Sequence, residues 1–262
     1  MLNFGYTDRE INKILSSSII VKLKEETIYR KIVSVSNFLI SVGYGKNEII
    51  KIIKLHPRLL GLTVDNLEKK IDVLKLLGYD MVIIKRITIK CPQVFSLNTS
   101  NIEDKINKIM ELGYTREEVL EMIKIYPTIY TFNILNMKNK IGEIMGLGFS
   151  YKDIINMSKK FPQIYSLGID NIREKVDFCN YVGLSDLVMN KKKILVQSVE
   201  LSYARYMFYK SIGIDISKDN CEMLFMSENI FVNRFNKTRE ELLELYKYDG
   251  DKINVRKKKL TN

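Results

Sequence analysis

Apolar residues along this chain fall at helical spacing. Between 115 and 147, Val119, Met122, Ile123 and Tyr126 form one face of a first helix, and Ile141, Ile144 and Leu147 form one face of a second over roughly 136–147. No alternating strand pattern competes. Thr115-Arg116-Glu117-Glu118 reads as a capping box, in which hydroxyl and carboxylate satisfy free amides of the first turn. Thr7-Asp8-Arg9-Glu10 and Ser100-Asn101-Ile102-Glu103 read the same way. Pro127 stops the first helix, because proline has no amide donor and biases its predecessor away from helical geometry. Residues 128–133 turn the chain. Gly148 ends the second helix and Gly113 the preceding one, supplying the left-handed conformation needed there.

This unit recurs. Pro57, Pro92, Pro127 and Pro162 are 35 residues apart, as are Gly43, Gly78, Gly113, Gly148 and Gly183. Gln197 stands where a fifth proline is expected, and the unit between Gly183 and Gly213 is five residues shorter. Weaker copies start at Gly5 and Gly213, giving about seven units with degenerate ends. Units this short cannot bury their apolar faces alone. The expected fold is therefore all-α, an α-solenoid of either hand built from helix, proline break and helix. One domain is expected over 1–248, followed by a basic tail over 249–262. In that tail, Arg256-Lys257-Lys258-Lys259 reads equally as a mobile arm or a solvated end.

Charge narrows the partner. The chain is 46% hydrophobic and 28% charged, enough to build a core, and its net charge of +11 favours a polyanion. Nucleic acid comes first, an anionic membrane surface second, and a merely basic surface stays open. Cys91, Cys179 and Cys221 form no CxxC pair and read as core residues in a reducing compartment, not as metal ligands. No apolar run has the length of a membrane span. The first ten residues lack a signal core and the Arg-rich, acid-poor pattern of an organelle presequence. The expected location is a cytoplasm, with the nucleoid, or an organelle matrix if the chain is a mature form.

Tetratricopeptide repeats need small residues where helices cross, and this chain has one alanine, Ala204. Pentatricopeptide repeats share the length but carry no proline in this register. The pattern Leu-Gly-aromatic, acidic helix, Pro-x-Ile/Val-Phe/Tyr-Ser/Thr-Leu, Asn-Ile-x-x-Lys-Ile is cleanest from Leu77 to Gly183. It resembles the mitochondrial transcription termination factor (MTERF) family. The resemblance implies two antiparallel helices per unit with a short third, often 3₁₀, after the proline. It also implies a basic concave groove for nucleic acid, typically duplex DNA, with RNA as the alternative, and a role in transcription regulation or termination.

Two sets of cations are candidates for phosphate contact. Lys70, Lys105, Lys140 and Lys175 are 35 apart, and Arg205 holds the same place before Gly213. Each borders an apolar helix face. Such a cation either packs its stem and caps a neighbouring carbonyl or joins a ladder matched to phosphates. The second set lies toward the ends of first helices: Lys51 and Lys54; Lys85, Arg86 and Lys90; Lys124; Lys159 and Lys160; Lys191, Lys192 and Lys193. Favourable pairing with the helix dipole explains one such end, and phosphate contact along an edge is the alternative. Phe95, Tyr130 and Tyr165 read as inter-repeat core ahead of base-stacking residues. No phosphate loop or metal motif accompanies the lone His56, so no catalysis and no cofactor are expected. The expected protein is a monomeric nucleic-acid binder, and its rival is a protein-interaction scaffold.

Overall fold

The computed structural model describes residues 7, 9, 25–250 and 253. The copy starting at Gly5 and the basic run 256–259 fall outside the described residues, apart from Thr7 and Arg9. Among the described residues every regular element is helical, and the chain divides into two compact units, Met1–Ile134 and Leu135–Asn262.

The first unit contains α1 (Glu25–Ser41), α2 (Lys46–Leu55), α3 (Val64–Leu76), α4 (Met81–Lys90), α5 (Thr99–Met110) and α6 (Arg116–Ile125). Five-residue 3₁₀ segments, Pro57–Gly61, Pro92–Ser96 and Pro127–Thr131, follow α2, α4 and α6. First helices α2, α4 and α6 pack in series, and so do second helices α1, α3 and α5. Each repeat thus shares its apolar faces with its neighbours, in two layers.

The proline does two jobs at this corner. The residue before it leaves helical geometry, as at Cys91 with φ −134° and ψ 70°. The proline then occupies the first position of the 3₁₀ turn, where a missing amide donor goes unnoticed. Positions three and four of each turn point inward. Leu59 and Leu60, Val94 and Phe95, Ile129 and Tyr130, and Ile164 and Tyr165 are all buried. Each buried aliphatic or phenylalanine side chain here contributes about 1.5–3 kcal/mol by leaving water. Phe95, Tyr130 and Tyr165 are therefore core residues.

Gly78 shows why glycine recurs. Its φ is +88°, the Gly78 amide donates to the Lys75 carbonyl at 2.8 Å, and the Tyr79 amide reaches back to Leu74 at 3.2 Å. This closes α3 and turns Tyr79 into the core, and a side chain at Gly78 would be strained. Gly43, Gly113, Gly148, Gly183 and Gly213 hold the same left-handed conformation.

The second unit contains α7 (Ile134–Met145), which starts at the boundary, then α8 (Tyr151–Lys160), α9 (Ile169–Tyr181), α10 (Lys192–Val196), α11 (Val199–Ser211), α12 (Glu228–Phe235) and α13 (Arg239–Leu245). Its 3₁₀ segments are Pro162–Ser166, Ser185–Leu187 and Cys221–Phe225. α9 packs on α11, and α11 on α13. Phe208, Tyr209, Phe231 and Phe235 form an aromatic cluster between α11 and α12, with ring centroids 5.0–5.9 Å apart.

Three local expectations change. α7 begins at Ile134, ahead of the expected 136. The box at Thr115 forms in both directions, but Ser100 and Glu103 form none. α5 starts at Thr99, which puts Ser100 inside the first turn, and Glu103 is held by both guanidinium nitrogens of Arg116. The fifth unit loses its length inside the first helix, which shrinks to the turn Ser185–Leu187. Lys192, not Gln197, consequently stands at the proline place: two residues separate α10 from α11, as two separate each proline segment from its second helix.

Candidate nucleic-acid interface

The recurring cation has one structural address. Lys70, Lys105, Lys140, Lys175 and Arg205 are each the seventh residue of a second helix, α3, α5, α7, α9 and α11. Arg234 is the seventh residue of α12 and extends the row. The shortened spacing of the last units hid it in the sequence.

Most of the row turns inward. The buried Lys175 ammonium donates to the Leu195 carbonyl, the fourth residue of the next short segment. Arg205 is 2% exposed and donates to the carbonyls of Leu224, again a fourth residue, at 3.0 Å and of Met226 at 2.7 Å. Its guanidinium stacks over Phe231 at 4.6 Å, and Gln197 adds a bond to the Leu224 carbonyl at 2.8 Å. Lys140 pairs with Glu143. Lys70 is buried, Lys105 is half-buried, and Arg234 is exposed. Burial pushes the pKa of Lys70, Lys105, Lys175 and Arg205 down. At Lys175 and Arg205 the geometry is that of a carbonyl cap joining one repeat to the next.

The second set divides. Lys54, Lys90, Lys124, Lys159 and Lys160 lie in the last turns of α2, α4, α6 and α8, where a cation offsets the helix dipole. Lys124 pairs with Glu121 and lies 5.9 Å from the Tyr79 ring centre. Lys191, Lys192 and Lys193 do not end a helix. They open α10, because the first helix of their unit has become a turn. Glu222 accepts from Lys191 at 2.7 Å and from Lys193 at 2.9 Å, while Asp186 accepts from Lys218. The two lysines hold the Glu222 carboxyl below its ordinary range.

Four members of the set converge. Lys51 on α2 and Lys85, Arg86 and Lys90 on α4 surround a cleft of about 370 Å³ with Glu48, Val82 and Ile89. Lys85 is fixed in place: it pairs with Glu48 at 2.9 Å, donates to the Gly43 carbonyl at 2.8 Å and sits 5.6 Å from the Tyr44 ring centre. Lys51, Arg86 and Lys90 are exposed and make no ion pair among the described residues. A framed cation beside three open ones, with apolar Val82 and Ile89 among them, suits a phosphate-bearing surface. Sequence reasoning missed Val82 and Ile89, which nothing in the spacing sets apart from other helix positions.

Other potential chemistry is enclosed or partnered within the fold. The three cysteines are free and enclosed, with burial pushing the Cys91 thiol up to about 11 and that of Cys179 to about 12. His56 donates to or accepts from the Ser96 hydroxyl at 2.6 Å. No helix among the described residues is long and apolar enough to cross a membrane.

A family model described as mTERF matches residues 3–231. No curated protein matches the chain. The proline-led 3₁₀ turn between paired helices recurs through the matched residues, and the chain belongs to the mTERF family, helical-repeat proteins that are generally non-catalytic binders of nucleic acid.

Proposed function

We propose that this protein binds duplex DNA without catalysing a reaction, and that bound protein regulates or terminates transcription. The observation that carries the reading is the convergence of Lys51, Lys85, Arg86 and Lys90 around one cleft of the first-helix layer. The net charge of +11 supports it, drawing any polyanion toward the surface.

The test is a binding titration against duplex DNA, single-stranded DNA and RNA at several salt concentrations. Each phosphate neutralised on duplex DNA contributes about −0.9 to the slope of log affinity against log salt. Contact through this cleft gives a slope of roughly −3 to −4 from its four cations. A flat salt response rejects phosphate binding, and stronger binding to RNA moves the assignment to RNA.

A further inference from the structure

Lys105, like the buried Lys70, stands apart from the anchored members of its row. Lys140, Lys175 and Arg205 each have an acceptor. Among the described residues, the half-buried Lys105 ammonium has none. It faces a cleft of about 740 Å³, in the size range of small-ligand pockets. Asn101, Lys105 and Lys108 lie at i, i+4 and i+7 on one stripe of α5, and all three line this cleft. Thr131 and Phe132, from the next proline segment and its cap, line it too.

Two cations three residues apart on a helix repel each other. Burial first, and Lys108 second, push the Lys105 pKa down. A bound anion between the two ammonium groups offsets the repulsion and favours the charged form of both. Asp104 and Glu111 also line the cleft, so a run of phosphates is disfavoured there. One phosphate group on a carrier with hydroxyl or amino donors satisfies both signs of charge.

We infer that the cleft formed by Asn101, Lys105, Lys108 and Phe132 is a binding site for a single phosphate monoester. It shares no residue with the basic cleft between α2 and α4, and it lies on the second-helix layer. The inference therefore stands without the nucleic-acid reading. The monoester is either a free nucleotide-sized molecule or the 5′-phosphate at a nucleic-acid end.

The experiment is titration calorimetry of the full chain with a nucleoside 5′-monophosphate, the matching nucleoside and inorganic phosphate. The monophosphate is expected to bind at least about tenfold more tightly than the nucleoside, as charge-assisted hydrogen bonds require. Lys105→Met and the exposed Lys108→Ala should each weaken it by about tenfold, with unfolding midpoints checked alongside. Equal binding of nucleoside and monophosphate, or unchanged binding in both variants, overturns the site. Duplexes with 5′-phosphate or 5′-hydroxyl ends identify the source. A 5′-phosphate preference lost in Lys105→Met assigns the site to a chain end, and monophosphate binding without that preference assigns it to a free ligand.

Discussion

Lys51, Arg86 and Lys90 in the first unit and Lys191 and Lys193 in the second carry the same charge and looked equivalent in the sequence. Their surroundings differ. The first three stand open around a cleft whose one acidic lining residue, Glu48, is already paired with Lys85. The other two share Glu222, at 2.7 and 2.9 Å. What separates them is the length of the first helix. Where α4 keeps its full ten residues, its basic face is presented to solvent. Where that helix has collapsed to Ser185–Leu187, the lysines move to the start of the next segment, within reach of an acidic residue from the following repeat. The same charge in the sequence becomes an open basic surface only where the fold leaves some of the cations without an internal anion.

The comparison breaks or holds most clearly in a pair of multiple variants. Lys51→Ala, Arg86→Ala and Lys90→Ala together should weaken duplex binding on the order of 100-fold near 0.1 M salt and reduce the salt slope by about three. Lys191→Ala with Lys193→Ala should change affinity less than about threefold, because both ammonium groups are already engaged by Glu222. Fluorescence anisotropy with a labelled duplex measures both. A larger loss in the second variant would invert the assignment.

Next in size is an effect on stability. Arg205→Met leaves the Met226 carbonyl without its donor, removes one of two donors from Leu224, and loses the stacking on Phe231. It should cost about 2–4 kcal/mol in urea unfolding. Lys140→Met loses only a pair with the partly exposed Glu143 and should cost less than about 1 kcal/mol. Equal costs would mean that the buried caps do not hold the repeats together.

The repeat was legible because its punctuation is chemical. Proline suits the start of the turn and glycine the place with φ near +90°, so a spacing of 35 gave the helices, corners and core aromatics directly wherever both are kept. The box at Ser100 was misread because a local motif cannot register a distant competitor, here Arg116 on Glu103. Arg234 was missed, and Gln197 misaligned, because a fixed ruler fails once a helix is shortened. Neither cleft was legible. Their cations come from successive repeats or face a neighbouring turn, and whether a lysine ends on a carbonyl, a carboxylate or water is decided by packing between units of the repeat.

The smallest effect tests the acidic partner itself. Glu222→Gln keeps the side-chain shape but releases Lys191 and Lys193 from their ion pairs. Duplex affinity should rise about three- to tenfold, and the salt slope should steepen by one to two contacts' worth, roughly 0.9 each. Acid has a related effect on the unmodified protein. The Glu222 pKa is lowered by Lys191 and Lys193, so its contribution to stability is present above the ordinary glutamate range and is lost as pH falls through the lowered folded value. Half-exposed side chains keep that contribution to a few tenths of a kcal/mol. Unfolding free energy should therefore fall slightly more steeply below about pH 5 in the unmodified protein than in Glu222→Gln. Identical acid limbs, together with unchanged duplex affinity, would show that Glu222 does not hold these lysines in solution, and the contrast between the two clusters would then rest on the cleft alone.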